Sequence, residues 1–202
     1  MLTLYHAPLS RSSRIVWLAY ALGIMDEIDI VTVTIPRRDG SGGHDARNPH
    51  PEGKVPLLVH DGAEIWESSA IILYLTDLFP DTGFGPPVGD PLRGPYLSWL
   101  AYYGDVMEPV LILQAAEVEH PMLISTFRGV GEMASRLSTA LADTPFVLGD
   151  RFTAADLLLC SPFTWAPDLM PDVPVIRDWV ARCWAQPSAA QATEFDKAAL
   201  GD

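Results

Sequence analysis

The sequence predicts an α/β first part followed by an all-helical second part, and three observations carry that prediction. Strand-like alternation and hairpin chemistry are confined to the stretch before Phe79. Pro80 to Pro95, PDTGFGPPVGDPLRGP, then packs five prolines and four glycines into 16 residues, the composition of a linker. Beyond Tyr96 the strand signals give way to apolar residues at helical spacing. The expected division is therefore residues 1–80, a linker over 81–95, and a helical domain over 96–202.

Each element follows from local pattern. Leu2-Thr3-Leu4-Tyr5 alternates and reads as a short strand, which Pro8 ends in a loop. From Ser12 to Leu22, Ile15, Leu18, Ala19 and Leu22 fall at i, i+3, i+4 and i+7, one face of a helix that Gly23 stops. Ile28 to Ile35 is β-branched and alternating, a second strand closed by Pro36, so the chain opens as a βαβ unit with a right-handed crossover. Residues 36–52, PRRDGSGGHDARNPHPE, form a loop of the length that compact domains reserve for function. Leu57-Leu58-Val59 and Ile65-Trp66 read as antiparallel strands joined across Asp61-Gly62, a strong hairpin signal. The period then changes: Ile71, Leu75 and Leu78, with Ile72 and Phe79, mark a helix.

Glu67-Ser68-Ser69 stands where that helix begins. Unsatisfied N–H groups and the positive end of the helix dipole favour an anionic group there, although Ser68 or Ser69 would equally serve as a simple cap. In the second part, Tyr96 to Leu113 reads as a long helix interrupted near Pro109, and Val130, Met133, Leu137 and Leu141 as another. Thr153-Ala-Ala-Asp156 has the form of a capping box, so Asp156 reads as a folding element rather than a catalytic acid. Val175, Trp179 and Cys183, flanked by Ile176, Val180 and Trp184, define a last helix ending before Pro187.

Composition narrows the function classes. Of the 202 residues 49% are hydrophobic and 19% charged, a globular balance, and the formal charge of −13 disfavours nucleic acid or an anionic membrane as partner. Six bases (Arg11, Arg14, Arg37, Arg38, Arg47, Lys54) and six acids (Asp26, Glu27, Asp29, Asp39, Asp45, Glu52) cancel over residues 1–60, so the whole of the −13 falls on the remainder. A small anionic ligand would find its favourable field in the first part. No apolar run of membrane-spanning length occurs, and MLTLYHAPLSR has neither a basic nor an apolar leader segment, so a cytoplasmic protein is expected. Cys160 and Cys183 show neither CxxC nor metal-ligand spacing, and buried thiols are the expected state, with no metal site.

Taken in order, Ser10-Arg-Ser-Ser-Arg14 after the first strand, Gly53-Lys-Val-Pro56, Glu67-Ser-Ser-Ala70 and the box at Thr153 to Asp156 give the chain a resemblance to the glutathione S-transferase family. The resemblance covers nearly the whole chain. It implies a thioredoxin-like α/β N-terminal domain, an all-α C-terminal domain, and glutathione as co-substrate.

Glutathione attacks electrophiles only as thiolate, so the protein must lower its thiol pKa, and a hydroxyl near a helix N-terminus does so. By resemblance to the serine-type members, Ser10 stands first for this role and Ser12 second. Either also reads as an N-cap, and Tyr5, in the strand, is a further alternative. The loop holds no cysteine, which speaks against cysteine-type chemistry.

Val55-Pro56 resembles the family's cis-proline step, where the residue before proline pairs with the cysteinyl part of glutathione through its main chain. Glu67 and Ser68 match the γ-glutamyl site, and Lys54, with His44 or Arg38 from the loop, the glycyl carboxylate site. Asn48-Pro-His-Pro-Glu-Gly-Lys54 carries two residues more than the usual Asn-Pro-x-Gly-Lys pattern, so contacts before Lys54 do not transfer. The family's electrophile pocket would draw on Leu9, Tyr103, Met107 and Trp165, although Met107 and Trp165 also read as ordinary helical core. The implied activity is conjugation of glutathione to small apolar electrophiles in detoxification, with peroxidase, isomerase or dehalogenase variants, by a symmetric homodimer. The alternative on the same fold is a non-catalytic ligand-binding or protein-interaction module.

Overall fold

The computed structural model describes residues 1–200 and, within them, every side chain but that of Trp165. The described residues divide into two compact units, residues 1–79 with 187–200, and residues 80–186.

The first unit is built on a four-stranded mixed sheet in the order β2-β1-β3-β4. Its strands are β1 (Leu2–His6), β2 (Ile28–Thr32), β3 (Leu57–His60) and β4 (Ala63–Trp66). β1 pairs in parallel with β2, Leu2 opposite Ile28 and His6 opposite Thr32, and antiparallel with β3, Leu4 opposite Leu58. The second strand is shorter than its β-branched run because the ladder ends where Val33 donates its N–H to the carbonyl of His6. Alternation in β1 places Leu2, Leu4 and His6 on one buried face, so a histidine occupies a position otherwise held by leucine. The β3–β4 hairpin turns at Asp61 (φ 49°) and Gly62 (φ 87°), the pair of left-handed residues that a tight two-residue turn requires.

Helix α1 (Ser13–Leu22) buries Ile15, Val16, Leu18 and Ala19, and Gly23 ends it in the left-handed conformation with its N–H on the carbonyls of Ala19 and Tyr20. Helix α2 (Ser68–Leu78) buries Ile71, Ile72 and Leu75 and packs against α1.

The helical unit runs through α3 (Arg93–Tyr102), a π-helical turn (Tyr103–Met107), α4 (Glu108–Ala115), α5 (Pro121–Phe127), α6 (Val130–Ala140), α7 (Ala154–Cys160), α8 (Pro162–Trp165) and α9 (Pro174–Trp184). The long helix expected over Tyr96 to Leu113 is thus continuous in direction but widened at 103–107. Pro109 sits in the first turn of α4, where its missing N–H costs nothing. Met133, Leu137 and Leu141 are buried as their spacing implies.

The last helix is not the one the periodicity marks. A further helix, α10 (Pro187–Leu200), follows α9 and belongs to the first unit, lying along α1. Its attachment is polar as well as apolar: the buried indole N–H of Trp17 donates to Ser188 Oγ at 3.0 Å.

Cys160 and Cys183 are fully buried free thiols, and burial pushes the Cys183 thiol up. Among the described residues no helix is long and apolar enough to cross a membrane.

Candidate functional site

The loop from Ala7 to Ser12 is held on three sides. Arg37 donates to the carbonyls of Pro8 (2.6 Å) and Leu9 (3.0 Å), and the N–H of Leu9 donates to Asp196 Oδ2 at 2.7 Å. Below the loop, Ser12 Oγ accepts from the N–H of Ala7 at 3.0 Å. These bonds keep Leu9 at φ 54°, a strained conformation for a leucine, with 69% of its surface exposed. The loop is a fixed support, and strain of this kind concentrates at functional sites.

Ser10 and Ser12 occupy different environments. Ser10 is half-buried, with its hydroxyl 2.7 Å from the carbonyl of Ala7 and 2.8 Å from Ser12 Oγ. Ser12 is fully buried, its oxygen lying 2.9 Å from His6 Nδ1. A molecule in solvent reaches Ser10; Ser12 lies behind it. Neither serine is a side-chain cap for α1. Ser13 instead turns its hydroxyl to Asp196 Oδ2 at 2.5 Å.

The Val55-Pro56 peptide is cis. Val55 packs with Ala7 and Val33 in a small buried cluster flanked by Tyr5, Val31 and Ile35, which sets the step directly against the base of the Ser10 loop. Among the described residues no hydrogen bond engages the main chain of Val55, while the neighbouring Lys54 carbonyl accepts from Asn48 Nδ2. An extended peptide has an open edge to pair with there.

At the start of α2, Glu67 is exposed and adopts φ 68°, ψ 127°. Its side chain does not cap the helix it precedes, and Ser68 follows buried at the first helical position. The start of α2 beside a strained glutamate sets helix N–H groups and a carboxylate acceptor at one spot.

Lys54 pairs with Glu52, a contact that raises its pKa, and Glu67 and Arg11 are close enough to act on the same ammonium electrostatically. His44 lies over Gly53, 2.9 Å from where a Cβ would stand, and the φ of 64° at Gly53 favours glycine. Arg38 is exposed, and the loop cation tied to residues 8 and 9 is Arg37, which the sequence did not single out.

Of the residues expected to line an electrophile pocket, Leu9 is exposed beside Ser10. Tyr103 and Met107 are 1% and 0% exposed, on the π-helical turn inside the helical unit. For Met107 that burial agrees with the core alternative its spacing also allowed. The side chain of Trp165 lies outside the described residues.

Two features of the site escaped sequence reasoning: His6 and Asp196. Asp196 is 3% exposed and accepts from Leu9 N–H and the Ser13 hydroxyl. Burial raises its carboxyl pKa, but the facing His6 imidazole and the hydrogen bonds from Ser13 and Leu9 outweigh that and hold it below the ordinary carboxylate value.

Residues 1–77 match the family model for the glutathione S-transferase N-terminal domain, and residues 105–187 match the one for its C-terminal domain. The chain belongs to the glutathione S-transferase family. Among its relatives, glutathione S-transferase GstA of Escherichia coli O157:H7 is 28% identical over 145 residues, 69% of this chain and 71% of the relative. Glutathione S-transferase 3 of Schizosaccharomyces pombe is 27% identical over 216 residues, 96% of this chain and 87% of the relative.

The transferase fold extends over the whole chain. The crystal structure of a glutathione S-transferase from Actinobacillus pleuropneumoniae superposes with a TM-score of 0.80 at 25% identity, covering 98% of this chain and 93% of that one. A glutathione transferase homologue from Sulfitobacter, solved with bound glutathione, has the same fold with a TM-score of 0.72 at 21% identity, covering 96% and 98%.

Proposed function

We propose that this family member is a glutathione transferase in which Val55 and the Glu67-Ser68 helix start hold glutathione while Ser10 stabilises its thiolate for attack on small apolar electrophiles. Val55 carries the reading. Its unpartnered main chain offers a strand edge, and through Ala7 it packs against the loop that holds the half-buried Ser10 hydroxyl. Glu67 accepts from the γ-glutamyl ammonium, the N–H groups at the start of α2 take the adjoining carboxylate, and Lys54 faces the glycyl carboxylate. A thiolate then receives the Ser10 hydroxyl hydrogen, a charge-assisted bond that favours the ionised form. The exposed Leu9 supplies apolar surface next to the sulfur. On the family precedent of glutathione bound to this fold, glutathione is the co-substrate.

Calorimetric titration with glutathione tests the reading. Wild type should bind, and Glu67→Gln, which keeps the size but loses the charge, should weaken binding about 10-fold or more, the worth of one charge-assisted hydrogen bond. Absence of binding by wild type would remove the proposal. The resemblance also carries a homodimer, so sedimentation should return twice the mass of one chain.

A further inference from the structure

Behind Ser10 runs a chain of hydrogen-bonding groups that ends on a charge. Ser10 Oγ is 2.8 Å from Ser12 Oγ, and Ser12 Oγ is 2.9 Å from His6 Nδ1. His6 Nε2 is in turn 3.2 Å from Asp196 Oδ1. Ser12 and His6 are fully buried and Asp196 is 3% exposed, so the chain is closed to solvent everywhere except at Ser10. Nε2 and Oδ1 face each other off the ideal line, and neither has a hydrogen-bond partner among the described residues. Ser12 from the loop, and Asp196 and Phe195 from α10, lie around the imidazole.

Resting on the glutathione reading above, we propose that His6 and Asp196 receive the thiol proton through the two serine hydroxyls. Asp196 remains a carboxylate because the His6 imidazole and the Ser13 and Leu9 donors stabilise the charge, and a carboxylate beside Nε2 selects the tautomer protonated there. Nδ1 is then an acceptor, and the Ser12 hydroxyl donates to it. The Ser12 oxygen, already accepting from Ala7 N–H, accepts the Ser10 hydroxyl as well when that hydroxyl turns from the Ala7 carbonyl, its nearer acceptor at 2.7 Å. All the donors now point inward, away from the sulfur.

Ionisation reverses them. The S–H bond breaks as its proton passes to Ser10 Oγ, the Ser10 proton passes to Ser12 Oγ, and the Ser12 proton to His6 Nδ1. One proton leaves sulfur and one arrives at nitrogen; both serines end as hydroxyls. The products are a thiolate and an imidazolium, the second beside Asp196. The hydroxyl hydrogen now on Ser10 is the former thiol proton and points at the thiolate, so the transfer that makes the charge also builds the bond that stabilises it. Imidazolium formation also strengthens the loose Nε2–Oδ1 contact into a charge-assisted one. His6 and Asp196 are positioning residues in this scheme, since they act on the sulfur only through Ser12 and Ser10.

Two measurements on the full chain test it. Glutamine at position 6 can accept from Ser12 and donate to Asp196 but takes up no proton. His6→Gln should therefore bind glutathione as wild type does in calorimetry, while the thiolate fraction of the bound glutathione, read by ultraviolet difference absorbance at neutral pH, falls about tenfold or more. In wild type, nitrogen-15 spectra of the His6 ring should change from the singly protonated to the imidazolium pattern when glutathione is added, a readout that needs no variant to fold. A wild-type thiolate fraction in His6→Gln, or a ring that stays neutral while thiolate forms, would overturn the relay and leave the glutathione reading standing. Failure of wild type to bind glutathione would overturn both.

Discussion

Asp156→Asn should lower the stability of the chain by about 2–4 kcal/mol, although it changes one atom at a position far from any expected chemistry. Asp156 is fully buried and accepts four hydrogen bonds. The Val147 N–H (2.9 Å) and Trp179 indole N–H (3.0 Å) meet Oδ1, and the Thr153 N–H (3.0 Å) and hydroxyl (2.8 Å) meet Oδ2. Asparagine replaces one of those oxygens with an NH2 group, so at least one buried N–H loses its acceptor and faces another donor, the Thr153 hydroxyl being the one group of the four that can turn to accept. The contacts join the start of α7 to the segment before it and to α9, so three parts of the helical unit loosen together. Urea unfolding followed by circular dichroism would report the loss, with a midpoint in thermal melts lower by about 5–15 °C.

Burial raises the Asp156 pKa above the ordinary carboxylate value of 3.8, partly offset by the four donors. Its contribution from holding a proton is therefore complete below 3.8 and declines as pH rises through the raised folded value, a slope the asparagine variant lacks. An unchanged urea midpoint in Asp156→Asn would show the hub to be dispensable.

The capping box at Thr153 was legible because its chemistry is local, four residues whose spacing alone brings side chain to backbone. The same is true of the Asp61-Gly62 hairpin, the Gly23 helix stop and the strand pattern of Leu2 to His6, where a period of two declares itself in five residues. The cis step at Val55-Pro56 and the exposed Glu67 also fall where their motifs put them.

What stayed hidden depends on long-range packing. α10 buries Ser188, Ala189, Ala192 and Asp196, a face of small and polar residues that no hydrophobic period marks. With that helix unseen, nothing in the sequence joins Asp196 to a loop 187 residues earlier at Leu9. His6 was hidden by its own neighbours, since a histidine alternating with leucines reads as a strand residue until its partners are known. The difference between Ser10 and Ser12 is likewise a matter of depth, half-buried against fully buried, which two residues of separation do not express. Met107 shows the opposite case: an apolar residue at helical spacing fits core and pocket equally, and its full burial is what the spacing does not express.

Ser10→Ala should separate binding from activation. Under the proposed reading the glutathione backbone is held by Val55 and by the start of α2, so removing one hydroxyl from the loop leaves the dissociation constant within a few-fold of wild type. The thiolate loses its donor. A hydrogen bond to a charged acceptor is worth about 1.5–3 kcal/mol, which corresponds to a rise of about one to two pH units in the thiol pKa of bound glutathione. At neutral pH most of the sulfur then stays protonated, and conjugation to a small aromatic electrophile should fall about 10²-fold or more in kcat. Local damage should be small, because the bonds lost, to the Ala7 carbonyl, Ser12 Oγ and the Ser12 N–H, lie within the loop, the Ala7 carbonyl keeps the Ser12 hydroxyl at 3.2 Å, and Arg37 and Asp196 continue to hold the loop. A pH titration of the thiolate absorbance in Ser10→Ala and wild type reads the shift directly. Equal titration midpoints would take the activating hydroxyl away from Ser10. Ser12 lies fully buried behind it, so Tyr5, half-buried on β1 beside Val55, would then be the group to examine.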